Sequence, residues 1–169
     1  RTSLAVRSTR SLVLTYKNKL TNALFHSSSG GMTENSKDVW KNQYPYLISV
    51  RDFDSNNPKL RWQKKFSNNE LEKLFPIIGG INKIEILNIT NTGRVKDVKL
   101  FGKYGSKQIS GVDFRKKLNL KSNFIRFKFL EDQKIISDND NPFITVEKNL
   151  MVLGKGSGHG VGMSQWGAR

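Results

Sequence analysis

The sequence has no cysteine among its 169 residues, which excludes disulfides, thiolate metal sites and a cysteine nucleophile and leaves the redox compartment open. Imidazole is scarce, with only His26 and His159. A structural zinc site usually takes four N or S ligands, so no metal is expected, and nothing else asks for a cofactor. Acidic side chains are absent before Glu34. Apolar runs are short: Leu12-Val13-Leu14 is typical, against the ~20 residues of a spanning helix. A membrane is therefore expected as a partner only through a segment not shown. No secretory leader is visible either, because the chain opens on Arg1 and no apolar h-region follows.

Positive charge is abundant. Twenty-nine Lys and Arg face 14 Asp and Glu, a formal balance of +15, with a mean hydropathy of −0.53. Such a chain seeks polyanions: nucleic acid, anionic lipid, or a wall polymer rich in carboxylate and phosphate. The plain alternative is a compositional habit, since 20 of the cations are lysines, widely dispersed among 16 asparagines. A chain this long can bury about 68–70% of its unfolded surface, so one independent domain over residues 1–169 is expected. Both ends read as cut, because Arg169 follows directly on the densest motif.

Periodicity indicates an α+β fold of antiparallel β-hairpins with a few short helices. Leu12–Tyr16 and Leu20–Phe25 flank a polar Lys17-Asn18-Lys19 turn. A short helix is expected near Asn35–Trp40. Ser67-Asn68-Asn69-Glu70 has capping-box spacing before Leu71, Leu74 and Phe75, in a helix that stops at Pro76. Ile81–Thr90 and Val95–Phe101 read as a hairpin around Asn91–Arg94. Ser110 to Asp113 caps a helix carrying Phe114, Leu118 and Leu120. In Phe124–Leu130, Ile125, Phe127 and Phe129 alternate with Arg126 and Lys128. Ser137–Pro142 reads as a turn, and Ile144–Leu153 as a last strand.

Two segments carry chemistry. Phe25–Glu34 gathers His26, Ser27, Ser28, Ser29, Gly30, Gly31, Thr33 and Glu34 at a strand end. Glycines there admit a ligand to the backbone, and hydroxyls both donate to and accept from sugar hydroxyls. The bland reading is a Ser/Gly turn with His26 in the core. Gly154–Ala168 holds six glycines around His159 and ends in Ser164-Gln165-Trp166. Neither phosphate-loop pattern is present, so a nucleotide site is not expected. Trp166 beside Gln165 suits a sugar face, although a Trp alone is commonly core.

Gly156-Ser157-Gly158-His159-Gly160-Val161-Gly162-Met163-Ser164-Gln165-Trp166-Gly167-Ala168 resembles the signature of the SpoIID/LytB family, stage II sporulation protein D and its relatives. Phe25–Glu34 resembles the same family's F-H-S-x-x-G-G-x-T-E element, and Val39-Trp40, Pro45-Tyr46-Leu47, Trp62, Gly93-Arg94-Val95 and Arg115–Ser122 follow in family order. The resemblance implies lytic transglycosylase chemistry on peptidoglycan glycan strands, outside the cytoplasmic membrane. One acid protonates the glycosidic oxygen, and the sugar's 6-hydroxyl closes on the anomeric carbon to leave a 1,6-anhydro end. The family's glutamate lies upstream of the stretch shown, before an A-R-T-Y-A helix, and Glu34 is only a weak local substitute. That segment and a C-terminal continuation are expected to be missing here.

Substrate binding is accordingly expected at His26, Ser27, Ser28, Gly30, Gly31 and Thr33 from the first loop. Gly158, His159, Gly160, Ser164, Gln165 and Trp166 complete the set from the second. A non-catalytic wall-binding module that enhances a cell-wall amidase is the alternative function. Nucleic acid is not expected as a partner, because the aromatics follow strand periods and do not interleave with cations along a groove.

Overall fold

The computed structural model describes residues 2–40, 42–138 and 141–169. The chain opens with a short exposed helix, α1 (Thr2–Ser8), and an exposed hairpin of β1 (Thr15–Tyr16) and β2 (Lys19–Leu20). Lys17 and Asn18 form its turn with φ of 50° and 59°. Two consecutive positive φ values match the twist of the flanking strands, which places Lys19 in the strand and not in the turn. β3 (Phe25–His26) and the single-turn α2 (Ser36–Val39) follow.

The central elements are β4 (Arg61–Phe66), α3 (Asn68–Leu74), β5 (Lys83–Ile89), β6 (Val95–Gly102), β7 (Gly105–Ser110) and α4 (Gly111–Lys117). The long strands β8 (Ile125–Asp138) and β9 (Asn141–Lys155) and the short β10 (Met163–Ser164) complete the chain. Two antiparallel three-stranded sheets result, ordered β4-β9-β8 and β5-β6-β7. The architecture is α+β. Among the described residues no helix is long and apolar enough to cross a membrane.

The two sheets and two helices share one apolar cluster. Ile125 from β8, Leu150 and Val152 from β9, and Val95, Val98 and Leu100 from β6 are buried in it, with Leu71 and Phe75 at α3 and Phe114 and Leu118 at α4. The alternation in β8 has the expected phase: Ile125 is buried while Arg126 and Lys128 are exposed. The α3 capping box is complete. Ser67 Oγ accepts from the Glu70 N–H, and the Glu70 carboxylate accepts from the Ser67 N–H. Ser110 caps α4 by accepting from the Asp113 N–H, and Leu120 is buried just beyond the helix.

Some elements differ from the sequence reading. β4 alternates Trp62, Lys64 and Phe66 toward the core, and the lysine obscures the pattern. Its Nζ reaches the Leu118 and Asn119 carbonyls at 2.9 and 3.3 Å, so its stem lies along apolar surface while its charge is satisfied. β7 is a mostly exposed edge strand, and α1 buries nothing, so neither leaves an apolar signature. β5 covers only Lys83–Ile89, and its register shifts between Ile86 and Ile89 where Leu87 breaks the alternation. β8 and β9 run through the expected turn as far as Asp138 and Asn141. The tip of that turn, Asn139-Asp140, lies outside the described residues.

Candidate functional site

The two glycine-rich segments are zipped together through their backbones. β3 and β10 pair in parallel, with Met163 opposite Phe25 and Ser164 opposite His26. The N–H groups of Met163, Gln165 and Trp166 donate to the carbonyls of Leu24, His26 and Ser27 at 3.0, 2.9 and 3.1 Å. Ser28 and Ser157 exchange both backbone hydrogen bonds. Glycine is required at two points of this contact. Gly158 has φ 108°, and a Cβ there would lie 2.7 Å from the His26 Cβ. Gly160 has φ 84°, and its Cβ would meet the Arg94 guanidinium at 2.8 Å.

Two imidazoles sit at the seam. His26 is buried, with Nδ1 at 3.1 Å from the Val161 carbonyl, so Nδ1 carries the proton and Nε2 is left buried without a partner. His159 Nδ1 accepts from the Val161 N–H at 3.1 Å, which puts its proton on Nε2. These tautomers are assigned from the partners' chemistry. The two rings lie 5.7 Å apart, and the Trp40 ring stands edge-on to His159 at 5.1 Å. Burial lowers the pKa of both. His159 is pushed down to about 4, first by desolvation and then by His26 and Arg115, against a raising contact with the Phe25 carbonyl. In His26, burial outweighs the Val161 carbonyl, and Arg94 adds to the lowering. Both rings are neutral at pH 7, which suits hydrogen bonding and argues against imidazolium as a general acid.

Beneath the first loop lies a buried ion pair. Glu34 is fully buried: Oε1 accepts from the Asn35 N–H, and Oε2 accepts from the hydroxyls of Thr90 and Thr92 and from Arg94 Nη1 at 3.4 Å. The Glu34 N–H donates to the Gly160 carbonyl. Arg94 is equally buried, and its Nη2 donates to the carbonyls of Ser29 and Met32 at 2.6 and 2.8 Å. Burial lowers its pKa while Glu34 opposes that shift. One guanidinium thus ties the β5–β6 turn to the site loop and fixes where the loop carbonyls point. Two further acids hold the loop from the other side. Asp54 Oδ2 accepts from Ser28 Oγ and the Gly30 N–H, leaving Oδ1 buried without a partner. Asp52 accepts from Ser29 Oγ and from the Phe53 N–H.

Of the residues expected at the site, His26, Ser28, Gly30, Thr33, Gly160 and Ser164 are buried. Ser27, Gly158, His159 and Trp166 are half-buried, and Gly31 and Gln165 are exposed. Six of the twelve residues expected to bind substrate are thus buried within the seam and the loop beside it. Their hydroxyls are paired internally, while His26 Nε2 is not: Thr33 Oγ1, for example, accepts from the Val50 N–H at 2.8 Å. Sequence reasoning did not single out Arg94, Asp52 or Asp54 as site-builders. The closely spaced carboxylates of Asp52 and Asp54 were the available signal. Among the described residues no three His, Asp or Glu converge to hold a metal. A cavity of about 340 Å³ lies elsewhere, lined by Leu74, Phe75, Ile77 and Ile109 among others, and includes no residue of the two glycine-rich segments.

No protein-family model matches the chain. Stage II sporulation protein D of Bacillus subtilis (strain 168) is 34% identical over 97% of this chain, and that of Bacillus amyloliquefaciens is 33% identical over 97%. The amidase enhancer of Bacillus subtilis is 27% identical over 99% of this chain. The chain covers 43%, 43% and 29% of these relatives, less than half the length of each. The chain belongs to a SpoIID/LytB-like family.

Proposed function

We propose that this region is the glycan-binding part of a SpoIID-like lytic transglycosylase, acting outside the cytoplasmic membrane on peptidoglycan strands stripped of their stem peptides. One observation carries the reading: segments more than 120 positions apart are joined strand to strand, bringing His159 against Trp40 and His26. Exposed Gln165 and half-buried Trp166 adjoin the same seam and supply an amide and a ring, the groups that hold a sugar. Neutral His159 orients a sugar hydroxyl by hydrogen bonding and leaves proton donation to a carboxylic acid.

A second reading, a wall-binding module that assists a cell-wall amidase without cleaving glycan, is favoured by the state of the local acids. Glu34 and Asp54 are buried and Asp52 is half-buried, each already accepting hydrogen bonds from the loop. None is poised as a free proton donor. Mass spectrometry of purified glycan strands after incubation with this chain tests both readings. No 1,6-anhydro product is expected from residues 1–169 alone. A product that disappears in Glu34→Gln would make Glu34 the acid and overturn the binding-only reading of this stretch.

A further inference from the structure

The outer face of the β4-β9-β8 sheet, opposite the core, is defined by register. Arg61 pairs with Lys155, Gln63 with Leu153, and Lys65 with Met151 across β4 and β9, while Arg126 and Lys128 stand opposite Leu153 and Met151 across β8 and β9. These residues share one side, because alternate positions of a strand point the same way. Arg61, Lys65, Arg126 and Lys128 are exposed and Lys155 is half-buried, so five cations occupy one sheet face. Within this patch Lys65 pairs with Asp132. Like charge is felt at Lys155: desolvation first, then Arg61, the buried Arg94 and Arg126 push its pKa down, while Asp54 raises it. Five cations this close together, with one of them paired to a carboxylate, are stabilised by an external polyanion.

The shape of the face selects among polyanions. Successive cations along β8 are about 6.8 Å apart and the strands about 4.8 Å apart, a spacing suited to single charges repeated along an extended chain. Over the cationic stretch of this face, residues 61–65, 124–130 and 149–155, the one ring is Phe124, which lies under the Lys155 ammonium at 4.0 Å, so no aromatic platform there is free to stack a base. Over the same stretch Leu153 is the one exposed large apolar side chain, with Met151 and Leu130 half-buried, too little to anchor in a bilayer. We infer that this face docks a flexible polyphosphodiester chain without bases, such as a polyol-phosphate polymer. The inference does not depend on the glycan reading, although Lys155 also packs against Gly30 and so joins the basic face to the site loop.

The test is binding of the full chain to lipid-free poly(glycerol phosphate), titrated across about 50–200 mM salt. Arg126→Gln/Lys128→Gln is expected to weaken binding at least about tenfold and to reduce the log–log salt slope by about two, near one per cation removed. The single variants, both at exposed positions, should each reduce it by about one. Lys103→Gln/Lys107→Gln makes the same charge change on the β6–β7 hairpin and is expected to leave the affinity within about twofold, since those lysines would make no phosphate contact. Equal losses in the two double variants, or no binding to the polymer, would show that the charge acts diffusely and overturn the proposal. Phosphatidylglycerol vesicles and a single-stranded oligonucleotide serve as rival ligands. Tighter binding to either than to the polymer, lost in Arg126→Gln/Lys128→Gln, would reassign the face and equally overturn it.

Discussion

Arg94 heads the fully buried side chains by volume among the described residues, and its partners Glu34, Ser29 and Met32 lie about 60 positions away in sequence. Removing one member of a buried ion pair leaves the other uncompensated, so Arg94→Met is expected to cost about 3–5 kcal/mol in urea denaturation. Arg94→Lys should restore little, because a single ammonium lacks the planar fork that reaches Ser29, Met32 and Thr92 together. The histidines make stability depend on pH. With the folded His159 pKa near 4 and an ordinary value of 6.5, the unfolded chain binds more protons in between. Stability from this group is full above pH 6.5 and is lost as pH falls toward 4. Melting temperature should therefore drop over that window, and the drop should be shallower in His159→Asn, whose Oδ1 can still accept from the Val161 N–H. At this scale the sequence shows which residues are reactive but not how they are held. His26 and His159 stand out by scarcity and by the glycines near them. Arg94 looks like any turn residue until its distant carbonyl partners are known.

Elements were legible where their signal is local. The capping box at Ser67–Glu70 needs four neighbouring residues and formed as spaced; Ser67→Ala is expected to cost about 1 kcal/mol, read as a lower urea midpoint at unchanged m-value. The alternation of β8 was equally readable, because burial of one sheet face imposes a period of two, whereas β5 shows apolar residues although its Ile86, Leu87 and Ile89 are exposed. β4 was hidden by Lys64, whose charge is satisfied at its tip while its stem stays along apolar surface. The β3–β10 pair could not be read from periodicity at all. Two residues on each side have no period, and the pairing is parallel across most of the chain. It was foreseeable only as an argument that two polar, glycine-rich strand ends are best used together. The internal pairing of Ser28, Ser29 and Thr33 went unread for the same reason, since their partners Asp52, Asp54 and Val50 lie on a separate stretch of chain.

At the scale of the whole molecule, the +15 charge and the glycine-rich seam do different work. On the proposed reading, charge would bring the protein to an anionic wall and weaken with salt, while neutral groups at the seam would give preference for a sugar. The fold supports that division: the basic sheet face and the seam meet at Lys155, where β9 passes into the glycine-rich segment. The central claim is that the seam holds a glycan strand through His159 and its neighbours. Its most direct test is the affinity of the chain for stem-peptide-free glycan strands, compared between the parent and His159→Asn at a salt concentration high enough to suppress charge attraction. Loss of one hydrogen bond and of the imidazole ring predicts about a tenfold weaker Kd with a nearly unchanged melting temperature. Unchanged affinity in a folded His159→Asn variant would contradict the account.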